Sequence, residues 1–169
     1  MAAGGAVHRA LESWDLEADP EAELARQRAL LPSYLAALLG DARPDRAERR
    51  AAALLDRFAA GPLLPRLQAI GGEVIARELP VLLPPGSGES APVGYVAGAI
   101  DLLYKDVETG FLVVADYKTD DAAENTLEAA AQAYGAQMKV YADAIRAAFP
   151  GEAVRAEIFF VRTGRAVRL

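Results

Sequence analysis

The chain has 169 residues, with 24 acidic against 18 basic side chains for a net charge of −6, no cysteine and a single histidine. At ~100–200 residues per domain this makes one domain, 53% apolar and able to bury a sizeable core, while the lack of cysteine excludes disulfide staples, thiolate zinc sites and iron–sulfur clusters. No apolar run approaches the ~18 residues of a membrane span and no basic-then-apolar leader opens the chain, so a soluble, cytoplasmic protein is expected; with this acidic balance, contact with nucleic acid requires either locally clustered phosphate-binding charge or a partner that delivers the substrate.

The first seventy residues read as three or four helices. Val7, Leu11 and Trp14 recur at i, i+4 and i+7, Leu24, Leu31, Leu35 and Leu38 continue beyond Pro20, and a further stretch over 47–58 begins near Pro44. Gly61-Pro62 and Gly71-Gly72 punctuate the chain. Residues 73–83 then read as a strand that Pro80 bends or places near a sheet edge. Residues 84–92 contain Pro-Pro-Gly-Ser-Gly, the composition of a flexible connection. Two short apolar runs, 93–104 and 111–119, are joined by residues 105–110 and predict a hairpin. Asn125 with Glu128 three positions later predicts a capping box opening one long helix over 126–149, stopped by Pro150-Gly151. A last strand over 156–161 turns at Thr163-Gly164 into 166–169. The predicted order is helices over 1–70, then an αβ core over 73–169 with three strands, a long helix and one or two strands. No Gly-x-x-x-x-Gly-Lys-Ser/Thr loop occurs, so no nucleotide is expected in this chain.

The chemistry concentrates in the hairpin. Between residues 81 and 130 there are nine carboxylates and, as cations, only Lys105 and Lys118, a balance that attracts a divalent metal. Residues 111–119 form an apolar run without polar alternation, as in a strand buried on both faces, yet it ends with Asp116 and Lys118. Two-residue periodicity places these on one face. Pairing Tyr104 with Phe111 sets Asp101 opposite Val114 and diagonal to Asp116, again on that face. Two converging carboxylates repel unless a cation neutralises them, and a hard ion with oxygen ligands such as Mg²⁺ meets that need. Lys118 then orients an attacking water or stabilises charge developing on a phosphoryl group, which points to phosphodiester hydrolysis.

Three segments, Gly98-Ala99-Ile100-Asp101, Asp116-Tyr117-Lys118-Thr119 and Gln137-Met138-Lys139-Val140-Tyr141, stand in an order and spacing that resembles the PD-(D/E)XK nuclease superfamily, and within it the RecB-type nuclease domain of RecB and AddA helicase–nucleases. Residues 7–12 resemble that family's N-terminal helix with its metal-binding histidine, and Arg77-Glu78-Leu79-Pro80 its first-strand acidic motif. The resemblance implies an α/β, restriction-endonuclease-like αβββαβ core, a small mixed sheet flanked by helices, with an additional N-terminal helical segment. It implies that Asp101 and Asp116 bind metal with His8 and the Tyr117 carbonyl, and that Lys118 is catalytic. Glu78 either joins the site or pairs with an arginine; Gln137 and Tyr141, one helical turn apart, contact the DNA backbone or prop the site. Tyr134 extends their stripe and is expected in the core. The implied activity is that of a Mg²⁺-dependent deoxyribonuclease, with Mn²⁺ substituting, of exonuclease type. It would act on single-stranded DNA fed by a helicase domain or subunit during bacterial double-strand break repair and recombination. The start of the chain so near His8 favours an excised end of a longer polypeptide over a free-standing relative. The alternative is a catalytically inactive nuclease fold kept for DNA binding or scaffolding.

Overall fold

The computed structural model describes residues 2–39, 45–83 and 96–169. Pro44, the predicted connection 84–92 and residues 93–95 of the second predicted strand lie outside the described residues. Four helices come first: α1 (Ala2–Glu12), α2 (Pro20–Leu39), α3 (Asp45–Ala60) and α4 (Leu63–Ala69). There follow β1 (Val74–Leu83), β2 (Val96–Lys105), β3 (Leu112–Lys118), α5 (Leu127–Gln132), α6 (Gly135–Ala148), β4 (Val154–Phe160) and β5 (Arg165–Arg168).

The strands form one mixed sheet in the order β1-β2-β3-β4-β5. Neighbours are antiparallel except β3 and β4, which run parallel because α5 and α6 carry the chain across between them. Each face of the sheet has its own core. Val113, Ala115 and Tyr117 of β3 pack with Val7, Leu11, Trp14, Leu55 and Phe58 of the N-terminal helical layer. Leu112 and Val114 pack with Met138, Tyr141 and Ile145 of α6. The unbroken apolar run of β3 thus follows from helices covering both faces. β1 is the edge strand, where the missing N–H of Pro80 is tolerated, as the sequence predicts.

Two polar contacts fix the helical layer on the sheet. Arg77 of β1 donates from Nη1 to the carbonyls of Glu12 (3.1 Å) and Trp14 (2.6 Å), closing the C-terminal end of α1. Arg66 of α4 pairs with the wholly buried Glu157 of β4, which Arg155 also approaches at 3.1 Å.

Three predicted details are corrected. The inner face of α2 is not the leucine stripe alone: Glu23 and Gln27 are buried beside Leu31 and Leu35, whereas Leu38 is 47% exposed. Glu23 is accommodated because Arg26, Gln27 and the Asp15 amide all donate to it. The predicted capping box does not form. Residues Glu124–Thr126 make a 3₁₀ turn, the Thr126 hydroxyl donates back to the Ala123 carbonyl, and no side chain caps α5. The predicted long helix is also broken in two. The amides of Ala133 and Tyr134 bond to carbonyls only three residues back, and α6 restarts at Gly135, a residue that stabilises helix interiors poorly.

Candidate active site and metal centre

The hairpin closes one residue later on each strand than Tyr104 with Phe111. The Asp106 carboxylate accepts the amides of Glu108 and Thr109, Gly110 turns with a positive φ, and Lys105 pairs with Leu112. Val114 therefore lies opposite Leu103 rather than Asp101, and the ladder runs on to Leu102 and Ala115. One step further sets Asp101 across from Asp116. A slip of two residues changes the partner but keeps the face.

Asp101 is 8% and Asp116 3% exposed. Asp101 Oδ2 accepts the Tyr117 amide at 2.6 Å and lies 3.5 Å from His8 Nδ1. His8 stands one turn before the end of α1 that Arg77 ties down. Glu78 arrives by an unusual route: it has φ of 46°, left-handed backbone that strains a residue with a side chain. That twist directs both Arg77 and Glu78 toward α1, where strict alternation would have separated them. Donor atoms of His8, Glu78 and Asp101 consequently lie within 4.8 Å of one another.

Lys118 sits beside this group. Its Nζ is 2.6 Å from Asp116 Oδ2, donates to Gln137 Oε1 at 3.4 Å and lies 4.4 Å from the centre of the Tyr134 ring. Gln137 Nε2 in turn donates to the Tyr141 hydroxyl at 3.0 Å. Gln137 and Tyr141 thus form a hydrogen-bonded chain that ends at the lysine. Tyr134, expected in the core, is half-buried instead, lines the cleft and donates its hydroxyl to Asp120. Its place on the helical stripe of Gln137 is the one signal of this in the sequence; Thr119, the last residue of the Asp116–Thr119 segment, and Asp120, which has no signal, also line the cleft.

Burial pushes the Asp101 carboxyl up to about 8, and the charge of Asp116 adds to the effect. Burial also raises Glu78, reinforced by Glu12. His8 is lowered, chiefly by burial, so its imidazole is neutral and free to act as a ligand near pH 7. Asp116 Oδ2 is buried and accepts no hydrogen bond, Lys118 approaching it outside hydrogen-bonding geometry. An orphaned carboxylate oxygen, a second carboxyl held protonated only by burial and repulsion, and a neutral imidazole fit a divalent cation that takes oxygen and nitrogen donors. His8, Glu78, Asp101 and Lys118 line an open cleft of about 520 Å³, with Asp116 buried behind the lysine.

Tyr141 reaches this arrangement only because residue 98 is glycine. A Cβ there would stand 2.5 Å from the Tyr141 hydroxyl and 3.2 Å from Cζ of its ring. Gly98→Ala is expected to displace the ring and destabilise the fold by ~1–3 kcal/mol. Thermal unfolding would register this as a midpoint lower by ~2–4 °C per kcal/mol.

The family model of the PD-(D/E)XK nuclease superfamily matches residues 1–168. No curated protein matches the chain.

Proposed function

The chain belongs to the PD-(D/E)XK nuclease superfamily of metal-dependent nucleases, and on that premise we propose that it is a Mg²⁺-dependent deoxyribonuclease, of exonuclease type, that cuts single-stranded DNA supplied by a helicase domain or subunit in the bacterial cytoplasm during break repair. The observation that carries the reading is the meeting of His8, Glu78 and Asp101 within 4.8 Å, directly beside the Asp116–Lys118 pair.

His8, Asp101, Asp116 and the Tyr117 carbonyl would hold the ion, with Glu78 close enough to join them. When bound, a divalent ion supplies neutralisation of the carboxylates and Lewis-acid polarisation of the phosphodiester. The chain's own groups do the rest. The Tyr117 amide fixes the Asp101 carboxylate, and the neutral imidazole of His8 leaves its ring nitrogen open to a ligand bond. Lys118, steadied by Asp116, Gln137 and the face of Tyr134, points its ammonium into the cleft to orient a water and stabilise charge that builds on the phosphoryl oxygens. Mn²⁺ would substitute because it shares the preference of Mg²⁺ for carboxylate, carbonyl and water donors. A net charge of −6 supports a division of labour in which a motor partner holds the polyanion. No described helix is long and apolar enough to cross a membrane.

The test is incubation with linear and circular single-stranded DNA in Mg²⁺, Mn²⁺ or EDTA. Metal-dependent loss of the linear form, abolished by Asp116→Asn with an unchanged circular dichroism spectrum, is expected. Undiminished cutting by Asp116→Asn, or cutting in EDTA, overturns the assignment, and attack on circular DNA removes its exonuclease part.

A further inference from the structure

Three arginines converge next to the cleft in a chain whose overall charge is negative. Arg50 and Arg57 of α3 and Arg162, just after β4, line a hollow of about 270 Å³ together with Thr119 and Asp121. Arg50 and Arg57 are seven residues, or about 10 Å, apart on one side of the helix. A smaller hollow of about 200 Å³ connects the two spaces: it shares Gly4, Thr119 and Asp120 with the cleft, and Arg50, Leu54, Thr119 and Asp121 with the arginine hollow. At that junction α1 presents only the small residues Ala3 and Gly4, and it packs closely on Thr119: a Cβ on Gly4 would stand 2.7 Å from Thr119 Oγ1.

The two acids along this path are already engaged. Asp121 pairs with Arg162, and Asp120 accepts the Tyr134 hydroxyl. Among the described residues neither Arg50 nor Arg57 has an acidic partner, in contrast to Arg28, Arg9 and Arg146; Arg46 and Arg49 of the same helix are likewise without one, but of the α3 arginines only Arg50 and Arg57 line the hollow. Unpaired guanidinium groups in a concavity are donors waiting for an anion, and their planar fork matches phosphate oxygens two at a time. Because the hollow and the cleft both border Thr119 and the smaller hollow lies against each, an anion seated there and one at Lys118 can belong to a single extended chain.

We propose that the hollow formed by Arg50, Arg57 and Arg162 beside Thr119 binds the sugar–phosphate backbone of the strand being cut, holding the phosphates next to the one at Lys118; the inference rests on the nuclease reading. The contacts are to backbone and carry no sequence preference.

The experiment is fluorescence anisotropy of a labelled oligothymidylate with the full chain in EDTA, across a salt series. Arg50→Gln combined with Arg57→Gln is expected to weaken binding about tenfold at low salt and to reduce the salt slope by about 1.4, roughly 0.7 for each phosphate no longer neutralised. Arg49→Gln, which removes an exposed charge from the same helix outside the hollow, is expected to change affinity less than about twofold. Equal weakening in Arg49→Gln and the double variant, or none in the double variant, overturns the proposal. So does polyglutamate competing as well as DNA, which would make the hollow a docking face for an acidic protein. A chain that binds through these arginines yet fails to cut with any metal overturns the nuclease reading alone. One that cuts through Asp116 but binds equally well without them overturns the hollow alone.

Discussion

Lys118→Ala is expected to lower single-turnover cleavage roughly a thousandfold, the scale of losing one preorganised charge aimed at the reacting group. The Lys118 side chain is only 16% exposed, and its ammonium is held from three sides, by Asp116, Gln137 and the Tyr134 ring. Its position is thus set before substrate arrives, and little of its effect is spent on ordering a side chain. Lys118→Arg is expected to leave most of the loss in place, since a planar fork cannot occupy the point where a compact ammonium sits. Removing the lysine also leaves Asp116 buried beside Asp101 without its cation, so the melting temperature in EDTA is expected to fall and to recover when divalent ion is added. Cleavage by Lys118→Ala within about tenfold of the unaltered chain would sink the role assigned to this residue.

Asp101→Asn is expected to abolish divalent-ion binding while making the metal-free protein more stable at alkaline pH. Burial and Asp116 hold the folded carboxyl up to about 8, far above its unfolded value of ~3.9. A group raised on folding contributes stability that is complete below its unfolded pKa and lost as pH rises through the folded one. Glu78 acts in the same sense. His8, lowered by burial from 6.5, works the opposite way only below that value. Between about pH 6.5 and 8.5 the metal-free melting temperature should therefore fall by a few degrees, at ~2–4 °C per kcal/mol. Added Mg²⁺ or Mn²⁺ should raise it more at pH 8.5 than at 6.5, because less proton must be displaced. Asparagine keeps an acceptor for the Tyr117 amide but carries no charge, so the variant is expected to show a shallower pH profile, retaining only the contribution of Glu78, and no metal increment. A metal increment as large as in the unaltered chain would remove Asp101 from the ligand set.

The heart of the site is legible in the sequence because the features that announce it are periodic. An unbroken apolar strand that ends in Asp116 and Lys118 reads directly as a doubly covered strand with chemistry at its mouth, and parity carries Asp101 to the right face although the expected pairing is off by two residues. What escapes reading is local. The break before Gly135 lies in an alanine-rich stretch where the only breaker is one glycine, so helical periodicity puts Tyr134 in the core when it is turned toward Lys118. Burial of Glu23 and Gln27 depends on partners from a distant turn, Ser13 and Asp15, which the same periodicity cannot reveal. The positive φ at Glu78 is invisible in the sequence altogether, because nothing about a glutamate before Leu79-Pro80 asks for left-handed backbone.

His8 enters from the first helix and Asp101 from the second strand, far apart in the chain, while β3 finds its parallel neighbour only when residues 154–160 have been made. Pairings of such long range close late, after most of the polypeptide is free to fold. During synthesis the growing chain therefore carries the parts of its hydrolytic centre apart from one another. On the proposed reading, competence to cut arrives only with the finished architecture, and a chain stopped before β4 lacks it.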